Sequence, residues 1–174
     1  LVREFEQAWS EWLGCKYSVY VNSGSSANLL IVRALSGIRS KPTWISQACT
    51  WSTAVSPIMQ FANLQLCDVD LNNFGPDLEN LEYIFRTQKP KFILLTHLLG
   101  FSALSDELLE LCSKHDVTII EDCCESHGAE FKGKKVGTHG IASSFSFYYG
   151  HHMTTIEGGM VCTDDEDLYH EILL

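Results

Sequence analysis

Two adjacent histidines, His151 and His152, sit in a turn bounded by Gly150 on one side and by Glu157-Gly158-Gly159 on the other. Histidine's unperturbed pKa of about 6.5 suits it to moving protons near neutral pH. The stretch that carries them, residues 143–163, opens as an apolar alternation through Phe145 and Phe147, with Ser146 between them. It turns at Tyr149-Gly150 and closes in a second short strand, 160–163. A strand that ends in a polar, glycine-bounded loop is where α/β enzymes carry reactive groups. A single histidine is more often structural, but two in one such turn favour chemistry. A Ser-His-acid hydrolase built on Ser146 is the competing reading. It lacks a G-x-S-x-G elbow.

Three other groups invite the same question. Asn22-Ser23-Gly24-Ser25-Ser26 lies between a strand and a helix pattern. There, glycine allows close backbone approach and a new helix offers free N–H groups to an anion. A serine N-cap explains the same residues without a ligand. Neither Walker nor dinucleotide-binding glycine spacing is present. Glu121-Asp122-Cys123-Cys124-Glu125-Ser126-His127 places two carboxylates at the end of a buried strand. An ionised Asp122 there could hold a protonated heterocyclic nitrogen, although a helix cap is the simpler role. The Cys-Cys-Glu-x-His spacing matches no standard zinc site, and His127 is expected to bond to nearby backbone. Trp51 opens a helix after Cys49-Thr50. It could stack on a flat ligand or equally belong to the core.

The elements that must position these groups alternate in type. Helical patterns cover 1–13, 27–35, 51–61 (distorted at Pro57), 78–87 and 105–115, with a last one from Asp165. Strand patterns cover 17–21, 44–46, 64–68, 92–96 and 117–121. Residues 132–140 read as a polar loop or hairpin. Such alternation predicts a mainly parallel sheet between helices, an α/β class of three layers. No internal repeat or low-complexity linker interrupts it.

The chain has 174 residues, 45% hydrophobic, enough for one domain with a real core. Its net charge of −10 argues against nucleic-acid binding. No apolar run reaches the roughly 18 residues of a membrane span. Seven cysteines without C-x-x-C spacing, and no export signal, predict reduced thiols and a cytoplasmic location. The last helix pattern simply stops at Leu174, as expected of a fragment.

Taken together and in order, these motifs resemble the DegT/StrS sugar aminotransferases, a family of pyridoxal-phosphate enzymes. Asn22 to Ala27 resembles the family's N-S-G-T-x-A phosphate loop. Asp68-Val69-Asp70, residues 96–100, Glu121-Asp122, His127-Gly128-Ala129 and Glu157-Gly158-Gly159 follow in the family's order. The resemblance spans essentially the whole chain. It implies the large-domain fold of the aspartate aminotransferase type, with the smaller C-terminal domain absent from residues 1–174. It implies that Gly24, Ser25 and Ser146 hold the cofactor phosphate and that Trp51 stacks on the pyridine ring. Asp122 would pair with the ring nitrogen, and Glu125 would lie near the ring hydroxyl, where the family more often has glutamine.

One departure changes the implied chemistry. The family carries lysine five residues after the serine, and position 151 is histidine. Imidazole cannot form the stable Schiff base that lysine forms. The swap resembles the family's sugar 3-dehydratase branch. That branch implies His151 as the catalytic base, pyridoxal or pyridoxamine phosphate as cofactor, a nucleotide-linked 4-keto-6-deoxy sugar as substrate, L-glutamate as amino donor and a homodimer. The alternatives are an iron–sulfur CDP-sugar dehydrase, to which Cys124 would give one ligand, an ordinary sugar aminotransferase, and a non-catalytic remnant. No lysine lies between Lys135 and Leu174 to restore the aminotransferase pattern.

Overall fold

The computed structural model describes residues 1–37 and 41–174. In chain order its elements are α1 (Val2–Leu13), β1 (Tyr17–Val21), α2 (Gly24–Ser36), β2 (Thr43–Gln47), α3 (Ser52–Phe61), β3 (Asn63–Cys67), α4 (Leu78–Gln88) and β4 (Phe92–Thr96). They continue with α5 (Asp106–His115), β5 (Thr118–Asp122), the small hairpin β6 (Glu130–Phe131) and β7 (Lys134–Lys135), β8 (Ala142–Ser146), β9 (Gly159–Thr163) and α6 (Glu166–Leu173). Seven strands form one sheet in the order β1-β9-β8-β5-β4-β2-β3. Only β9 runs against its neighbours, antiparallel to both β1 and β8. The fold is therefore the expected three-layer α/β/α arrangement around a mixed, mostly parallel sheet.

Alternation along the central strands sorts the core into two layers. Leu94, Ile120, Ala142 and Val161 face α2, α3 and α6, meeting Ala27, Ile31, Ala54, Ile58 and Leu168. Ile93, Leu95 and Ile119 face α4 and α5, meeting Leu81, Phe85 and Leu108. Helix α1 joins that second side through Trp9 and Leu13, packed on Phe145, Phe147, Met160 and Cys162. Trp9 sits four residues before Leu13, so both lie on one helix stripe.

Two expectations are corrected. The helix after β1 begins at Gly24, not at Ala27, because the Ser23 side chain accepts from the Ser26 amide and starts the helix early. Helix α3 runs on through Pro57 to Phe61. The carbonyl that proline leaves without its usual partner is four residues back, on exposed Thr53.

The buried end of β5 is secured on both sides of the sheet. On one face, Glu121 accepts from the amides of His139 (2.7 Å) and Gly140 (2.8 Å) through one oxygen. Its other oxygen takes the Gly137 amide (2.7 Å) and the His97 ring (3.0 Å). Burial pushes this carboxyl up, but the His97 bond and the backbone donors outweigh it and hold it below its ordinary value. The other nitrogen of His97 accepts from the Ala103 amide at 3.0 Å. His97, Glu121 and Cys123 stand close enough to suggest a metal cluster. Both imidazole nitrogens are already in use, and the Cys123 thiol is pushed well up by burial, so the cluster reads as a structural clamp.

Candidate active site

The clamp leaves the next residue, Asp122, on the opposite face of β5, towards α2. Asp122 is fully buried. One carboxylate oxygen accepts from the Asn28 side chain (2.9 Å) and the Trp51 indole N–H (3.0 Å). The other accepts from the Cys124 amide (3.1 Å). Asn28 in turn accepts from Ser144 at 2.7 Å, tying α2 to β8. Three donors thus fix the position of this buried carboxylate.

A cavity of about 370 Å³ opens beside this carboxylate, lined by Ser23, Gly24, Ser25, Trp51, Thr53, Cys124, Glu125, Ser146, Tyr148, His151 and Glu157. Six residues singled out in the sequence therefore meet there: Gly24, Ser25, Trp51, Glu125, Ser146 and His151. Asp122 stands behind the wall, bonded to Trp51 and Cys124. The volume falls in the range of small-ligand pockets.

One end of the pocket is shaped for an anion. The amides of Gly24 and Ser25 precede the first intrahelical donor of α2, and both residues line the cavity. A side chain at Gly24 would put its Cβ 2.7 Å from the Ser146 Cβ and 2.8 Å from the Cys124 sulfur. Only glycine lets the helix end approach β8 this closely. Ser146 adds a buried hydroxyl at the same end. Burial and the Asp122 carboxylate push the Cys124 thiol well up, so it stays protonated and a poor nucleophile.

The loops around the pocket are held by side chains that act as backbone. Gln47 receives the Thr96 amide (3.0 Å) and donates to the Thr96 carbonyl (2.8 Å). It thus extends the β2–β4 pairing to the loop that delivers Trp51. Thr50 bonds Thr96 at 2.7 Å. Glu125 accepts from the Leu99 amide at 3.3 Å.

The loop carrying His151 is pinned at several points. Thr155 donates its amide to the Phe147 carbonyl (3.0 Å), and Thr154 donates its hydroxyl to the same oxygen (3.1 Å). From β1, the Tyr20 hydroxyl meets the Thr155 hydroxyl (2.9 Å) and donates to the Glu157 carbonyl (3.0 Å). Ile156 between them adopts φ 73°, an unfavourable value for a β-branched residue. Removing the clasp with Tyr20→Phe is expected to keep the ring packing on Phe5 and Phe147. The cost should be about 1 kcal/mol of stability, with faster amide exchange confined to residues 154–157. Unchanged exchange there would show that the clasp does not hold the loop.

Other site residues escaped the sequence reading. Asn28 carried a readable signal, being a polar residue on a helix stripe otherwise made of Ala27 and Ile31. Tyr20 carried none, because its partners lie over 130 positions away. His127 also differs from expectation. Instead of a local backbone bond, its ring sits among Trp9, Phe145 and Phe147, with centroids 5.8–6.0 Å away. Burial, then the neighbouring His151 and His152, lower its pKa to about 4, and a Ser146 main-chain contact opposes only part of that shift.

A mixed seven-stranded sheet with an anion-shaped helix end and a buried acid at a strand terminus defines the large-domain architecture of fold-type-I pyridoxal-phosphate enzymes. The chain belongs to the DegT/DnrJ/EryC1/StrS aminotransferase family, which it matches over residues 1–174. It is 41% identical over 179 residues to the GDP-4-keto-6-deoxy-D-mannose 3-dehydratase of Yersinia pseudotuberculosis, covering 99% of this chain and 45% of that protein. Among solved structures it resembles the E. coli enzyme of that name with bound hydrated PLP, at TM-score 0.89 and 38% identity, covering 99% of this chain and 46% of that one. A GDP-4-keto-6-deoxymannose 3-dehydratase with a trapped PLP-glutamate geminal diamine superposes with TM-score 0.90 and 37% identity, again over 99% and 46%. The chain thus spans about half the length of these relatives. No helix among the described residues is long and apolar enough to cross a membrane.

Proposed function

We propose that residues 1–174 form the cofactor-binding large domain of a pyridoxal-phosphate-dependent 3-dehydratase acting on a nucleotide-linked 4-keto-6-deoxy sugar. The observation that carries this reading is an imidazole in the pocket wall and no lysine there: His151 lines the cavity beside Ser146 and Glu125. The donor set fits the cofactor. Gly24, Ser25 and Ser146 would hold its phosphate, the Gly24 cradle being too tight for any side chain. Asp122 would hold the proton on its ring nitrogen by a charge-assisted bond, Trp51 its face, and Glu125 its ring hydroxyl.

In its amine form this cofactor supplies a primary amine for a ketone and a protonated ring that accepts electrons from the adjacent carbon. Asp122 would hold the proton on that ring, its carboxylate being held in place by Asn28, Trp51 and the Cys124 amide. His151 would remove a proton from the carbon bearing the amine and give one to the departing C3 hydroxyl. Hydrolysis by water would then free the nitrogen as ammonia and leave the sugar as a 4-ketone, and L-glutamate would reload the amine. The geminal diamine with glutamate in the relative's structure supports that donor, and the relatives' names support a GDP-linked sugar.

The rim of the pocket exposes Leu99, Tyr149 and Ile156. We assign these side chains to contacts with a second copy in a homodimer, working in the cytoplasm. The test is direct. Full-length protein supplied with pyridoxamine phosphate, glutamate and GDP-4-keto-6-deoxymannose should release ammonia and yield a 3-deoxy-4-keto sugar. Formation of a 4-amino sugar without ammonia would place the protein among the aminotransferases instead.

A further inference from the structure

The pocket gives His151 a place, but among the described residues its ring has no orienting hydrogen bond; its main-chain amide donates to the Tyr148 carbonyl. A base must present one nitrogen with a lone pair, and that tautomer is normally fixed by a bond at the other nitrogen. The neighbourhood holds one group suited to the task. His127 lies with its ring centroid 6.2 Å from that of His151. Among the described residues neither of its buried nitrogens makes a well-formed hydrogen bond, a Ser146 main-chain contact being the one polar approach to the ring. Such orphaned polar atoms are rare and call for an explanation.

The surroundings of His127 fit a held acceptor. Trp9 and Phe147 close on its ring from the α1 side, with their own centroids 4.8 Å apart at 89°. The titratable groups facing it are His151 and His152, both from the pinned loop. His152 is as near, at 6.3 Å, but is exposed and does not line the main cavity. His151 lies between the cavity and His127.

Resting on the proposed function, we infer that His127 is the positioning residue of the catalytic base. Its neutral ring, gripped by Trp9, Phe145 and Phe147, accepts the N–H of His151 and so directs the lone pair of that residue's other nitrogen into the pocket. Two imidazoles bonded nitrogen to nitrogen at about 3 Å have centroids roughly 5 Å apart, so a closure of about 1 Å makes the bond. Catalytic hydrogen bonds are often long before ligands bind and tighten afterwards. A neutral partner suits the role, because a cation there would repel the proton that His151 must collect.

The experiment compares His127→Phe, which keeps the aromatic packing, with His127→Gln, which keeps an acceptor. Isotope-labelled histidine NMR reads the tautomer of His151 in the full-length enzyme with pyridoxamine phosphate bound, where that closure is expected. The Phe variant should show a mixed His151 tautomer, and in the full-length enzyme a kcat lower by about ten- to a hundred-fold with little change in KM. The Gln variant should recover most of both. If the Phe variant does not fold, His127→Leu against His127→Gln gives the same contrast. A His151 tautomer unchanged in the Phe or Leu variant overturns the inference, as does a changed tautomer with wild-type kcat. Failure of the functional reading looks different: no dehydration in the wild type, whatever the NMR result.

Discussion

Replacing Asp122 with asparagine is expected to lower dehydration by about a hundred- to a thousand-fold, the scale at which single preorganised electrostatic groups act. The carboxylate has a donor on every side: Asn28 and Trp51 at one oxygen, the Cys124 amide at the other. An asparagine amide must turn its own N–H groups toward one of these donors. If it keeps Asn28 and Trp51, it opposes the Cys124 amide. The fold should then lose about 1–3 kcal/mol for one unsatisfied buried pair. The larger loss falls on turnover, because a neutral amide cannot hold a proton on a ring nitrogen. Steady-state kinetics and urea melts on the same preparation separate the two. Turnover within a factor of two of wild type would remove Asp122 from the mechanism.

Glu121→Gln is expected to have the largest effect on stability, about 3–5 kcal/mol, because two buried donors lose their acceptor and each unsatisfied buried group costs about 1–3 kcal/mol. Glutamine keeps one oxygen for two of the four donors and presents an NH₂ to the other two. Either His139 and Gly140 or Gly137 and His97 then face a donor. The pH dependence follows from the lowered folded-state pKa of Glu121. Its stabilisation is fully present above the unfolded value of about 4.3 and disappears as pH falls through the lower folded value. His127 works in an adjoining window: its folded pKa of about 4 lies below its unfolded value, so stability also falls as pH drops from about 6.5. The difference between wild type and Glu121→Gln cancels that shared part. The stability gap should therefore be wide at pH 7 and shrink below pH 4, measured by urea midpoints. A gap constant with pH would show that the Glu121 charge contributes nothing.

Much of the architecture was legible because its cues are local. A strand pattern gave β1 and a continuous apolar run gave β4 to the residue, and helical patterns gave α4 and α5 within a residue at each end. The candidate site was legible as a set of residue types at strand ends, and Gly24, Ser25, Trp51, Glu125, Ser146 and His151 do line one cavity. Long-range order was not legible. Nothing in residues 159–163 says that β9 runs antiparallel between β1 and β8. The grip of Tyr20 on Thr155 joins distant positions through one hydroxyl, which no spacing rule marks. His127 misled for a related reason. Its local sequence offers backbone partners, whereas the ring is claimed by Trp9, brought in by a helix more than a hundred residues earlier. Asp122 was readable as an acid at a strand end, but not as one held in place by an asparagine on α2.

What residue 151 does to a bound cofactor separates a dehydratase from an aminotransferase. Protein incubated with pyridoxal phosphate, reduced with borohydride and digested should yield no cofactor-modified peptide from the wild type. His151→Lys should yield one modified at residue 151, with dehydration lost. A modified lysine in the wild-type protein, or no capture by the lysine variant, would contradict an imidazole base standing where relatives of this fold tether their cofactor.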